Sequence, residues 1–195
     1  MNFRQLLTAP NQLTLLRMVF LPFIVNGLVD HHYRTALILF VIAGITDAFD
    51  GLLARRLHQQ TLIGQYLDPI ADKLLLSTMF LVLAILHMIK WKFTVIVFSR
   101  DMGILAVSAV LYMAAGLRDF RPSIFGKINT LCQIGAVFFV LLYATNQAGW
   151  IYFLQRQFLR LTFTFTIASG VHYVFLVTHR LRELHQKTLP SPPTS

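Results

Sequence analysis

Two pairs of aspartates lie in the first half of the chain at spacings typical of one helical face. Asp47 and Asp50 are three residues apart, and Asp68 and Asp72 are four apart. Each spacing places both carboxylates on the same side of an α-helix. If the two helices are neighbours, the four carboxylates converge, and their repulsion and desolvation require compensating cations. Ligation by oxygen atoms alone suits hard divalent ions such as Mg²⁺ and Mn²⁺.

Three residues beside the first pair favour a substrate that carries a diphosphate. Gly51 removes a side chain where a ligand could approach the backbone. Ala54, one helical turn after Asp50, adds only a methyl group to the wall of the site and so leaves room for a ligand. Arg55 offers a planar fork of donors to phosphate oxygens. Two bridged metal ions and an arginine can hold a diphosphate and stabilise the charge that develops during phosphoryl transfer.

Simpler roles for the aspartates are open at this point. The first pair could be solvated at an interface, and Asp68 before Pro69 is typical of a helix N-cap, a role compatible with metal binding. A transporter would use carboxylates as a cation or proton path, with polar residues spread through the depth of several helices. A noncatalytic scaffold would have no use for them. Because the acids cluster at one interface with Gly51 and Arg55, an enzyme is favoured.

The elements that must position these residues are strongly apolar. Hydrophobic residues make up 56% of the 195-residue chain, and its mean hydropathy is +0.63. A membrane-spanning helix needs about 20 apolar residues, and the apolar runs lack the alternation of barrel strands. We therefore predict an all-α, polytopic membrane bundle of six transmembrane helices, at 13–29, 34–53, 71–89, 93–115, 128–146 and 160–178.

Basic residues set the predicted orientation of this bundle. Ten of the 17 Lys and Arg fall on the N-terminal side of the predicted spans and five on the other, which places both termini and the aspartates at the cytoplasmic face. Trp91 and Trp150 then fall at the opposite interface as anchors. The basic residues form no tract with interleaved aromatics, so a nucleic-acid partner is disfavoured. The seven histidines share no ligand spacing with the acids and are assigned to interfaces or packing.

The chain is expected to form one membrane domain, over residues 1–185. Residues 186–195 contain three prolines among Ser and Thr and are predicted to be a disordered tail. Arg17 interrupts the first apolar run and no cleavage pattern follows, so a cleaved signal is not expected. Cys132 is the single cysteine, which excludes an intrachain disulfide.

The acidic segment resembles a known family signature. The D-x2-D-G-x2-A-R-x8-G-x3-D-x3-D pattern of the CDP-alcohol phosphatidyltransferases is matched in full, by Asp47, Asp50, Gly51, Ala54, Arg55, Gly64, Asp68 and Asp72. The segment from Pro10 to Arg17 is similar to the P-N-x-x-T-x-x-R pattern of the same family. The size of the chain and its six predicted spans also agree with that family.

The resemblance implies an activity in phospholipid synthesis. A phosphatidyl group would pass from CDP-diacylglycerol to an alcohol, with release of CMP, in a multi-pass membrane protein that forms a homodimer. Two divalent ions, Mg²⁺ or Mn²⁺, would be held by Asp47, Asp50, Asp68 and Asp72, and Asp72 would also take the proton of the acceptor. Contacts to CDP-diacylglycerol are implied at Asn11, Thr14, Asp50, Gly51, Ala54, Arg55, Thr61 and Gly64.

Further cations favour an anionic acceptor. Arg100 lies in the fourth predicted span, and Arg118, Arg121 and Lys127 lie on or near the connection to the fifth. The alternatives are local pairing of Arg100 with Asp101, and plain inside-positive topology for Arg118 and Arg121.

Two short segments bear on which branch of the family this is. Residues 126–133 are similar to the G-K-x-K-T-x-x-Q segment of phosphatidylglycerophosphate synthases, except that Asn129 replaces the second lysine. Residues 99–101 and 127–130 resemble the cardiolipin synthase branch, whose acceptor is phosphatidylglycerol. Both acceptors present a glycerol hydroxyl and a phosphate. Glycerol 3-phosphate is the preferred prediction and phosphatidylglycerol the alternative.

Overall fold

The computed structural model describes the backbone of residues 9–57, 62–115 and 124–188. Side chains are described for residues 18–46, 73–106 and 126–173, and for Leu16, Ile124, Phe175 and Thr178. Within these ranges the chain forms six α-helices and short turns, with no strand, which confirms the predicted all-α class and the number of helices. The helices are α1 (Ala9–Val29), α2 (Tyr33–Leu57), α3 (Leu62–Ile85), α4 (Trp91–Ala115), α5 (Ile124–Thr145) and α6 (Gly149–Thr188).

Several helices extend well beyond the apolar runs that predicted them. The 40 residues of α6 span about 60 Å, roughly twice the hydrocarbon thickness of a bilayer. This helix ends at Thr188, three residues inside the predicted tail, and residues 189–195 lie outside the described part. The prediction of Asp68 as an N-cap was wrong, because α3 begins at Leu62. Pro69 therefore lies inside α3, where it has no N–H to donate to the Gln65 carbonyl.

Two histidines end helices at one side of the bundle. His31 and His87 have φ values of 59° and 57°, in the left-handed region. The His31 N–H donates to the Leu28 carbonyl, and the next N–H, that of His32, donates to Gly27 at 2.7 Å. The same pair of bonds follows α3, from His87 to Ala84 and from Met88 to Leu83. These are Schellman caps, which usually place glycine in the left-handed position.

The helices close into a ring in the order α1, α2, α5, α6, α4, α3. Each helix packs against its two neighbours in this order, and α5 also contacts α3 across the ring. Most of the large, fully buried side chains come from α1, α3 and α5, and they include Ile24, Phe80, Met79 and Leu141. Because short connections alternate between the two ends, residues 47–57 of α2 and 62–72 of α3 lie at the same end of the bundle.

The outside of the ring carries many large apolar side chains. Phe23, Leu131, Phe153 and Phe175 are each at least 60% exposed. Within the described side chains, the segment Gly126–Thr145 is long and apolar enough to cross a membrane. Shorter apolar helical segments cover Met18–Val29, Tyr33–Thr46 and Lys73–Ile85. An exposed apolar surface of this extent is unusual for a protein surrounded by water and suits contact with lipid.

Gly135 permits the close approach of α5 and α6. A Cβ atom at this position would overlap the Phe158 ring, at its Cδ1 and Cε1 atoms. The ring of Phe158 is also stacked at 4.9 Å on Phe139 of α5, which limits its freedom to move away. The packing of the most extensive helix pair in the bundle therefore depends on the absence of one methyl group.

We expect Gly135→Ala to lower the free energy of unfolding by about 1–3 kcal/mol, because overpacking forces a side chain or a helix to shift. The measurement is thermal unfolding in a mild detergent. Gly103→Ala is the matched control, since nothing lies within 4 Å of that added methyl group, and it should be neutral or stabilising. Adding Phe158→Leu to Gly135→Ala should recover part of the loss. Equal stability of the two glycine variants would contradict this packing account.

Candidate active site

The structure places the aspartates on two helices at one end of the bundle. Asp47 and Asp50 lie in the last three turns of α2, and Asp68 and Asp72 lie in the first three turns of α3. The helical backbone gives each pair the shared face that its spacing predicts. Their side chains lie outside the described ones, so their convergence stays a prediction. Among the described side chains, no group of three His, Cys, Asp or Glu could hold a metal ion.

Helix α1 is the element that joins the two acid-bearing helices. It packs against both α2 and α3, and its first turns carry Asn11 and Thr14, two of the predicted CDP contacts. Gly51, Ala54 and Arg55 lie in α2, and Gly64 lies in α3. Thr61, Arg118 and Arg121 lie outside the described residues. All the predicted CDP contacts with a described backbone therefore belong to α1, α2 and α3, at the end of the bundle that carries the aspartates.

A buried ion-pair cluster begins at the residue after Asp72. The Lys73 ammonium donates to Asp101 Oδ1 at 3.0 Å, and Arg100 Nη1 donates to the same oxygen at 2.7 Å. Arg100 Nη2 reaches Ser169 Oγ at 2.5 Å. The Asp101 side chain is fully buried, and those of Lys73 and Arg100 are 18% and 8% exposed. One carboxylate thus ties α3, α4 and, through Arg100, α6 together.

This cluster changes the interpretation of Arg100. The sequence predicted that its guanidinium binds the acceptor, with local pairing to Asp101 as the alternative. In the structure the guanidinium donates to Asp101 and Ser169, and only Nε has no partner in the protein. The local pairing is therefore present, and binding of the acceptor by Arg100 stays a prediction. Lys127, the other described residue of that set, is exposed on α5.

A band of buried polar side chains continues from the ion pairs into the bundle. Thr166 donates to Asn129 Oδ1 at 2.8 Å, between α6 and α5. Asn129 is fully buried at the position where the similar segment has a lysine, so the asparagine avoids burying a second charge there. Buried polar atoms without a partner in the protein also occur nearby along these helices, on Ser77, Asp101, Asn129, Gln133 and Thr162.

Sequence reasoning missed most of this polar band. Its signal on α6 is the spacing of Thr162, Thr166 and Ser169, which share one helical face in a largely apolar stretch. On α5 the corresponding signal is Asn129 and Gln133, four residues apart. A polar stripe of this kind predicts an inward face, but it does not reveal which helix lies opposite.

Comparison with known proteins gives the class of the enzyme. A sequence profile described as CDP-alcohol phosphatidyltransferase matches residues 7–175. The chain therefore belongs to the CDP-alcohol phosphatidyltransferase family and is an enzyme of CDP-alcohol phosphatidyl transfer.

Three relatives show the range of this similarity. A probable phosphatidylglycerophosphate synthase of Mycobacterium tuberculosis is 33% identical over 171 residues, which cover 84% of this chain and 78% of the relative. A CDP-diacylglycerol–glycerol-3-phosphate 3-phosphatidyltransferase of Sodalis glossinidius is 35% identical, with coverage of 67% and 75%. The human CMP-forming cardiolipin synthase is 28% identical, and the match covers 65% of this chain and about half, 48%, of the human protein.

We expect Asp101→Asn to destabilise the fold by about 3–5 kcal/mol, because it leaves two buried cations without their carboxylate. Thermal unfolding in detergent measures the loss. Ser77→Ala is the control, since it removes a buried hydroxyl that has no partner, one turn after Lys73, and should be neutral or stabilising. Lys73→Met combined with Asp101→Leu should lose less than the sum of the two single changes. Strictly additive losses would contradict the ion-pair account.

Proposed function

We propose that the chain transfers the phosphatidyl group of CDP-diacylglycerol to glycerol 3-phosphate, forming phosphatidylglycerophosphate and releasing CMP. The observation that carries this proposal is the placement of the signature aspartates on α2 and α3 at one end, beside the cations of the Asp101 cluster. Two of the similar proteins are named for this reaction or its product. An anionic acceptor would be attracted to the net positive charge of Lys73, Arg100 and Asp101.

The four aspartates fit a site for two divalent ions. Their donor atoms are all carboxylate oxygens, the ligands preferred by Mg²⁺ and Mn²⁺, and each pair is presented by consecutive turns of a helix. We assign Asp47, Asp50, Asp68 and Asp72 as the ligands. When bound, such ions would neutralise the diphosphate and make CMP a better leaving group.

The residues of the chain itself bind and orient the two substrates. Arg55 offers parallel donors to the phosphate oxygens, and Gly51 lets the nucleotide approach the α2 backbone. The acceptor hydroxyl attacks the phosphorus that bears diacylglycerol. A new P–O bond forms, the P–O bond to CMP breaks, and Asp72 orients the hydroxyl and takes its proton. The shared role of Asp72 limits its basicity, because a carboxylate that ligates a metal holds a proton less tightly.

We further propose that all six helices cross a membrane with both termini in the cytoplasm, in a homodimer. The exposed apolar side chains around the ring and the excess of basic residues at the aspartate end support this placement. It lets the nucleotide headgroup enter from water while the acyl chains stay in lipid. The homodimer is supported by the resemblance to the family alone.

Phosphatidylglycerol as acceptor, as in cardiolipin synthases, is the second candidate. The buried Asn129 favours it, because this position lacks the lysine of the glycerol-3-phosphate branch. A transporter is disfavoured because the signature aspartates lie at one end of the bundle and are not spread through the depth of several helices.

We expect Asp68→Asn and Asp72→Asn each to lower the rate of CMP release from CDP-diacylglycerol by about 100-fold or more, because each removes a charged metal ligand. The assay needs Mg²⁺ or Mn²⁺ and an acceptor. Asp30→Asn is the matched control, since Asp30 is exposed in the turn between α1 and α2, at the other end of the bundle. Full turnover by both signature variants would rule out the metal mechanism.

An acceptor panel separates the two candidate products. Purified protein receives CDP-diacylglycerol with glycerol 3-phosphate, phosphatidylglycerol, inositol phosphate or serine, and lipid masses are recorded. We expect phosphatidylglycerophosphate with the first acceptor, and a higher KM for it in Lys127→Gln because an exposed cation is removed. Cardiolipin formation would instead support the second candidate. No product with any acceptor would count against phosphatidyl transfer to all four.

A further inference from the structure

A basic cavity lies at the end of the bundle away from the aspartates. It has a volume of about 500 Å³ and opens between the α3–α4 connection, the start of α4 and the first turns of α6. Asp72 and the last residue of α3, Ile85, are separated by about 20 Å of helix. The cavity is therefore separate from the proposed catalytic site, and its volume lies within the range of small-molecule sites.

Four cationic side chains line this cavity. They are Lys90, Lys92, Arg156 and Arg160. The two carboxylates among the described side chains lie elsewhere, since Asp101 pairs with Lys73 and Arg100 and Asp30 is in the α1–α2 turn. The cavity thus collects positive charge without a carboxylate from the described side chains to balance it. An anion is the ligand that such a surface favours.

Aromatic rings hold two of these cations in place. Lys92 Nζ lies 5.4 Å from the Phe93 ring centre and 5.9 Å from that of Phe163. The Arg156 guanidinium lies 5.6 Å from the Tyr152 ring. A ring stabilises a cation without accepting its N–H groups as a carboxylate would. The donors of both side chains are therefore positioned and still available to an anion.

A buried amide adds a second polar requirement. Gln155 lines the same cavity, is only 8% exposed, and its Oε1 atom has no hydrogen-bond partner in the protein. An amide oxygen accepts hydrogen bonds, so it calls for a donor on the ligand and not for another anionic oxygen. Met88, Ile89 and Leu159 supply an apolar wall beside it. The cavity thus combines sites for an anion, a hydroxyl and an apolar group.

We propose that this cavity binds an anionic phospholipid whose headgroup carries a free hydroxyl, in the leaflet opposite the aspartates. The phosphate contacts the four cations, the hydroxyl donates to Gln155 Oε1, and the glycerol backbone lies on the apolar wall. The proposal rests on the proposed membrane orientation and on glycerol 3-phosphate as the acceptor, since phosphatidylglycerol as the acceptor would also bind at the aspartate end. It also explains why four of the five basic residues predicted on that side lie together, against the inside-positive bias.

The test measures lipid bound to the full-length protein in nanodiscs of zwitterionic lipid that contain a small fraction of phosphatidylglycerol. We expect Arg156→Gln with Arg160→Gln to lower the bound phosphatidylglycerol about tenfold or more, because two surface cations are lost. Both side chains are exposed, so the fold should be kept, and unfolding in purely zwitterionic lipid checks this. Arg34→Gln is the matched control, since Arg34 is exposed at the same end and does not line the cavity.

Two further arms identify the ligand and separate this site from catalysis. Gln155→Leu should reduce the preference for phosphatidylglycerol over phosphatidic acid, which has no headgroup hydroxyl. Inorganic phosphate should fail to displace the lipid, and displacement by it would overturn the assignment to a lipid. Equal loss in Arg34→Gln, or unchanged binding in the double variant, would overturn the site itself. CMP release by the Arg156→Gln, Arg160→Gln double variant, measured in purely zwitterionic nanodiscs, should equal that of the unsubstituted protein. Failure of the proposed transferase activity and failure of the proposed lipid site are therefore distinguishable.

Discussion

The structure depends on the pairing of charge inside an apolar bundle. Asp101 is fully buried and accepts from Lys73 and Arg100 through one oxygen, so a single carboxylate makes two cations tolerable among hydrophobic helices. Lys73 directly follows Asp72 in α3. The ion pair therefore fixes the part of α3 that carries the second aspartate pair. Arg100 also donates a hydrogen bond to Ser169, which links this part of the bundle to α6. The proposed metal site would bring four carboxylates near one another, and it would need helices held in this way because charge repulsion would otherwise separate them.

The two ends of the bundle present different groups to a phosphate-bearing ligand, and the short connections between helices keep these groups apart. The turns after α1 and α3 are closed by His31 and His87, whose backbones have left-handed φ values. The chain therefore reverses direction within a few residues at each of these turns. Acidic residues of α2 and α3 then collect at one end, and the cations that precede α4 and begin α6 collect at the other. The aspartate end suits a polyvalent cation and a diphosphate. The opposite end suits an anion directly, so two phosphate-bearing groups can be bound by different means in one chain.

Much of the fold and the arrangement of the aspartates could be predicted from the sequence, because both depend on local patterns. Apolar runs revealed six helices, and spacings of three and four residues gave each aspartate pair a shared helical face. The helix bounds were less predictable, since α6 continues through polar turns that hydropathy alone excludes. The pairing of Arg100 with its neighbour Asp101 could be predicted, but the α6 partners of Arg100 and Asn129 could not. These partners, Ser169 and Thr166, are 69 and 37 positions further along the chain, and no short-range pattern encodes which helix closes the ring.

The polar band bears on how the acceptor is selected. The amide oxygen of Asn129 accepts a hydrogen bond from Thr166. A lysine at this position would need a buried carboxylate as its partner. The described side chains offer none, since Asp101 already pairs with Lys73 and Arg100. In the proposed reaction, recognition of an acceptor phosphate would therefore fall to cations nearer the surface, of which Lys127 is the described example. The free amide groups of Asn129 and Gln133 suit hydroxyl or ester groups better than a second phosphate charge. Glycerol 3-phosphate and phosphatidylglycerol both carry such neutral groups. The two acceptors would therefore be distinguished by how far their phosphate lies from the cations at the protein surface.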